Sequence, residues 1–198
     1  MSKRIFSAPP PVAPDAAPPK AAAKPAPAAA GKPDTRPMVH AATRIDTPDG
    51  PRAVETLQAG DRICCSGSDV MSLRAVERVV LARADWAYAP ALWPIRVPVG
   101  TLGNHTPMRV SPGMRVLLPG EDGAFVRVAD LVGIGGIARD RPMADIRYFE
   151  LHLPEHALVQ AEGALIESFP EGPRAVRPET PRDEARAAFA TATGRPVR

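Results

Sequence analysis

Cysteine is almost absent from this chain of 198 residues: there are two, Cys64 and Cys65, and they are neighbours. Adjacent cysteines bridge to each other only with strain, and no further thiols exist to build a framework or a C-x-x-C knuckle. A disulfide scaffold and a thiolate zinc site are thereby excluded. The pair reads as two strand residues, one facing in and one out, in a reducing cytoplasmic setting. No run of about 18 apolar residues occurs, so membrane insertion is not expected. Met1-Ser2-Lys3-Arg4-Ile5-Phe6 has a charged start but lacks the apolar stretch of a secretory leader. Aromatic residues are sparse at 5%. The basic N-terminal region offers only Phe6 to stack on a base, so nucleic acid is not expected as a partner.

Proline is the residue in excess. The 25 prolines make up about 13% of the chain against an ordinary ~5%, which rules out a mostly helical protein. They are unevenly spread, with 10 of them and 11 alanines in residues 1–37. Such a segment cannot bury a core and is expected to be disordered or to sample polyproline II. The charge is uneven too. The net +3 divides into +4 over residues 1–37, −3 over 38–169 and +2 over 170–198. The basic character therefore belongs to the tails.

The middle of the chain reads as β-structure. Candidate strands are 43–47, 52–57, 62–65, 73–81, 94–99, 108–110, 115–118, 125–128, 146–153, 157–160 and 165–169, each bounded by Gly or Pro or by a turn signal such as Pro48-Asp49-Gly50. Strands at this spacing imply an all-β body. One short helix is expected at about 181–190, with Thr180 as cap, Pro181 at its first position, and Asp183 and Glu184 at the positive end of its dipole. At that length it frays unless docked. The expected organisation is a tail over 1–37, a β domain over 38–170 and a C-terminal tail over 171–198.

Three pieces in order carry a resemblance. The first is Ala42-Thr43-Arg44-Ile45-Asp46-Thr47-Pro48-Asp49-Gly50 with Val54-Glu55-Thr56-Leu57-Gln58-Ala59-Gly60-Asp61. The second is Arg109-Val110-Ser111-Pro112-Gly113-Met114-Arg115-Val116-Leu117-Leu118. The third runs from Tyr148 through His156 to Ala161-Glu162-Gly163 and closes with Glu167-Ser168-Phe169. Together they resemble the Hint (Hedgehog/intein) domain in its bacterial version. The resemblance implies a horseshoe-like all-β fold with two pseudo-symmetric halves, and the chemistry of self-processing. In active members a Cys or Ser at the start of the domain attacks the carbonyl before it, and a histidine protonates the departing amide nitrogen, since an amide leaves poorly without an acid.

Carried over position by position, the resemblance puts the nucleophile at Met38, whose thioether has no proton to lose. The family's Ser/Thr-Pro-Asp-His reads Ser111-Pro112-Gly113-Met114, so the acid histidine is Met114 and the aspartate is Gly113. Ser111 and His156 are retained, and Ala42 stands where Gly is usual. The expectation is a degenerate domain, not an enzyme, without cofactor or metal, serving as a binding or scaffold module. If the site has become core, Met38 and Met114 should fill one cleft together. Two alternatives remain: residual autoproteolysis using His156 with water, Cys64 or Cys65, and an adaptor acting through residues 1–37.

The remaining candidates have plain readings. His40 is either a base without a nucleophile or an edge histidine. His105 and Ser111 fall in turns. His152 and His156 are four apart, but Pro154 between them forbids the helical zinc arrangement. Gly133-Ile134-Gly135-Gly136 lacks the Lys-Ser/Thr of a phosphate loop and reads as a flexible loop. Trp86, Tyr88 and Trp93 form either an exposed surface for an unknown protein partner or a lid over a small core.

Overall fold

The computed structural model describes residues 36–120, 123–169 and 178–194. The tail expected over residues 1–37 therefore lies outside the described residues, apart from Arg36 and Pro37.

The strands are short. In the first half they are β1 (Val39–His40), β2 (Arg44–Ile45), β3 (Arg52–Ala53), β4 (Arg62–Cys64), β5 (Val70–Ser72), β6 (Ala75–Leu81) and β7 (Ile95–Val97). In the second half they are β8 (Met108–Val110), β9 (Arg115–Leu117), β10 (Phe125–Arg127), β11 (Ala138–Arg139), β12 (Ile146–His152), β13 (Leu158–Ala161) and β14 (Ala164–Glu167). One helical turn, α1 (Arg83–Trp86), follows β6, and a longer helix, α2 (Arg182–Thr193), follows β14. The fold is all-β with a single substantial helix among the described residues, as the pattern of short branched runs between turns predicts.

Two antiparallel six-stranded sheets form the body. Their strand orders are β11-β7-β8-β1-β12-β6 and β10-β9-β14-β13-β2-β3, and β4-β5 is a separate hairpin. The longest pairing runs from Ile146↔Leu81 to His152↔Ala75. Alternation along β12 sends successive side chains to opposite faces of its sheet. Phe149 and Leu151 join the main core, whereas Ile146 and Tyr148 join a smaller cluster with Val79, Leu81 and Trp86. Both faces of β12 are covered, so that of its residues Ile146–His152 Arg147 alone is exposed.

Several expected elements differ in detail. The strand expected over 52–57 ends at Ala53, and Val54–Thr56 is a 3₁₀ turn. There Thr56 Oγ1 donates to the Ala53 carbonyl and the Leu57 amide to that of Val54, so local bonds replace the ladder. Strands β1, β5 and β11 had no signal of their own, being two or three residues long.

The helix begins at Arg182, one residue later than expected, and ends at Thr193 with Gly194 in the left-handed conformation at φ +64°. It docks: Ala185 and Phe189, one turn apart, are fully buried, and Arg186 donates to the carbonyls of Asp130 and Val132. The glycine segment 133–136 is a tight turn packed beneath this helix, not a flexible loop. The Ile137 amide bonds the Ile134 carbonyl, and the Gly133 amide bonds that of Ile137. A Cβ on Gly135 would sit 2.6 Å from Phe189 Cζ, so glycine is needed for the close approach.

Candidate functional site

The site begins where the chain enters the domain. Ser111 follows β8 and is fully buried. Its Oγ donates to the Arg36 carbonyl at 2.8 Å and accepts from the Met38 amide at 2.9 Å. The Ser111 amide in turn bonds the Met38 carbonyl at 2.9 Å, and the Met114 amide bonds the Ser111 carbonyl at 3.1 Å. Pro37 and Met38 are buried, so the peptide between them is shielded from water. Arg36 closes the junction with an ion pair from its guanidinium to the buried Glu150 on β12, at 2.6 Å.

Among the described residues, Ser111 is the hydroxyl that holds this junction by hydrogen bonds. Its hydroxyl is committed to two hydrogen bonds there, and the buried Met38 side chain carries a thioether. The Ser111 proton points to the carbonyl oxygen of Arg36, which is the posture of a hydrogen-bond donor; a nucleophile would present a lone pair to the carbon.

Met38 and Met114 do not share one cleft. Met38 is in the small cluster with Tyr148, while Met114 is in the main core. Strand alternation is the cause. Val39, next along, takes the main core and leaves Met38 on the opposite face. The two thioethers are buried in separate core clusters.

His156 sits elsewhere in the fold. Its Nε2 stands 2.9 Å from Glu167 Oε1 at the end of β14, with both side chains almost wholly buried. Arg115, which directly follows Met114, reaches the other Glu167 oxygen at 2.7 Å and Glu179 at 2.6 Å. Arg127 holds Glu179 from the next strand at 2.9 Å. Burial pushes the Glu179 carboxyl up, but Arg115 and Arg127 outweigh it and hold it below the ordinary value. The sequence singles out His156 and the Glu167-Ser168-Phe169 piece. It does not show that Arg115 and Glu179 belong with them, because those pairings span 52 and 64 residues.

A family model of the Hint domain matches residues 37–173. The chain belongs to the Hint domain family. Among solved structures it is similar to the MchDnaB-1 intein, at 12% identity over 66% of this chain and 98% of that one, with a TM-score of 0.45. The intein-like domain from Clostridium thermocellum matches at 12% identity over 66% and 97%, with a TM-score of 0.42. The zinc-bound splicing domain of the Msm DnaB1 intein matches at 16% identity over 66% and 98%, with a TM-score of 0.43. No curated protein matches the chain.

The other candidates in this Hint domain fall in separate places. Cys65 is buried and Cys64 half-buried, and both are free thiols. Burial, then the neighbouring Cys64 and Asp69, pushes the Cys65 thiol up to about 11, which keeps it protonated and unreactive at neutral pH. His105 packs against Gly163, where a Cβ would lie 2.6 Å from the ring. Trp86 is buried, Trp93 is half-buried with its indole N–H on the Trp86 carbonyl, and Tyr88 is fully exposed. Among the described residues, one group has metal-ligand spacing: Glu77, Glu150 and His152, with donor atoms within 4.8 Å of one another. His152 Nε2 lies 3.7 Å from Glu150 Oε2, while the other Glu150 oxygen is taken by Arg36. Glu150 is the residue that sequence reasoning missed. A carboxylate between Phe149 and Leu151 in a strand was the available signal, since a buried charge needs a partner. Among the described residues, no helix is long and apolar enough to cross a membrane.

Proposed function

We propose that this Hint domain does not cut itself and acts as a folded module that keeps its N-terminal extension attached, serving as a binding or scaffold unit. The observation that supports this reading is the junction itself. Pro37 and Met38 are buried, Ser111 bonds the Arg36 carbonyl and the Met38 amide on either side of Pro37, and a thioether stands where the family pattern puts the nucleophile and another where it puts the acid. A thioether supplies neither a nucleophilic anion nor a proton. Loss of one essential partner of a catalytic unit typically costs about as much rate as loss of all.

The test is a fusion with a reporter protein ahead of residue 38, incubated with and without a small thiol and followed by mass spectrometry. The expected result is one uncut species in both conditions, unchanged by Cys64→Ala or Cys65→Ala. Release of the reporter, with time or with thiol, contradicts the reading. Release lost in the cysteine variants would assign the reaction to those thiols.

A further inference from the structure

Where the connection from β11 enters β12, next to His40 of β1, lies a half-open cleft of about 350 Å³. That is within the usual size for a small-ligand site. Three adjacent strands supply its polar groups: His40 on β1, Arg109 on β8 and Arg147 on β12. The connection from β11 to β12 forms the wall, with Asp140, Arg141 and Asp145. Pro94 and Met143 make up an apolar part of the lining, and Met143 is 91% exposed.

The charges do not cancel. Asp140 is committed to Arg109, at 2.6 Å. Asp145 accepts the Arg83 amide, at 3.1 Å. Arg141 lies over the Trp93 ring, 5.9 Å from its centre. Among the described residues, neither Arg141 nor Arg147 has a carboxylate partner within ion-pair distance. The cleft thus holds two uncompensated guanidinium groups next to an exposed thioether. A monoanion suits it better than a dianion, because the two aspartates oppose extra negative charge.

We propose that this cleft binds a carboxylate carried on a short apolar group. The guanidinium groups of Arg147 and Arg141 take the carboxylate, and Met143 and Pro94 take the apolar part. The chemistry fits a small organic acid or the carboxy terminus of a peptide.

His40 is a built-in reporter. Its ring is edge-on to Tyr148 at 5.9 Å, and its Nδ1 lies 2.8 Å from the Ala41 carbonyl. Burial is the main cause that lowers its pKa; the Ala41 hydrogen bond opposes, Arg109 and Arg147 lower it further, and Asp140 raises it. A carboxylate arriving beside Arg147 offsets those cations and raises the His40 pKa.

The test uses the full-length protein and the His40 ring-proton NMR signal, assigned with His40→Gln. N-acetylleucine is expected to shift that signal saturably and to raise the pH at which it titrates. N-acetylleucinamide, which lacks the charge, is expected to do neither. Arg147→Gln, an exposed change that leaves the fold intact, is expected to weaken binding by about tenfold or more. A tripeptide ending in leucine separates the sources: binding equal to that of N-acetylleucine assigns a peptide terminus, and weaker binding assigns a free acid. The proposal is overturned by an unsaturable shift, by equal binding of the amide, by unchanged affinity in Arg147→Gln, or by inorganic phosphate binding as tightly, which would mark an adventitious ion only.

Discussion

Ala42 stands at φ +69°, in the left-handed region, where a Cβ is disfavoured by about 1–2 kcal/mol. Its amide is held by Glu55 Oε2 at 2.7 Å, which helps fix the turn between β1 and β2. Glycine there would relieve the strain, offset by about 0.5–1 kcal/mol of extra unfolded-chain freedom. Ala42→Gly is therefore expected to raise stability by up to about 1 kcal/mol, read as a higher urea midpoint with an unchanged slope. A lower midpoint would show that the turn tolerates its alanine without strain. The substitution of Gly by Ala at this position was legible in the sequence; the positive φ was not. Likewise, the two methionines were legible as chemical losses. That they would face opposite sides of one sheet was not, because β1 is too short to show its alternation and its pairing with β8 and β12 is long-range.

At the scale of elements, the C-terminal helix is part of the domain. Phe189 fills the space over Gly135, and Glu179, just ahead of the helix, ties it to Arg115 and Arg127. The folded pKa of Glu179 is below the ordinary 4.5. The sign follows by linkage. The unfolded chain takes up the proton first as pH falls, so the stabilisation from this carboxylate is fully present above about pH 4.5 and is lost as pH falls through the folded value. Glu179→Gln is expected to lower stability by about 1 kcal/mol at pH 7, with the gap to the wild type narrower at a pH below 4.5. Urea titrations at the two pH values check this, and a gap that stays constant would remove Glu179 from the ion-pair chain. The helix was legible from Asp183, Glu184 and the proline before them. Its docking was not, since an Ala185–Phe189 stripe is too sparse to announce a buried face. Most strands were legible because branched residues recur between turn signals. The short ones and the 3₁₀ turn at Val54–Thr56 were not, because local hydrogen bonds and distant partners decide them.

At the scale of the molecule, two six-stranded sheets enclose the core, and the chain enters at a buried junction between Arg36 and Met38. The family and its all-β fold were legible in three separated pieces, because those pieces lie at the turns and strand ends that define the fold. The cleft lined by His40 and Arg147 was not, since its residues come from three strands that only the sheet order brings together. The central claim is that no acyl intermediate forms at this entrance. Hydroxylamine trapping with intact-mass analysis of the untagged chain tests it most directly, because hydroxylamine intercepts an ester or thioester even when cleavage never finishes. The account predicts a single unmodified species of 21.0 kDa after prolonged incubation. A hydroxamate-bearing fragment ending at Pro37, with a partner beginning at Met38, would contradict it.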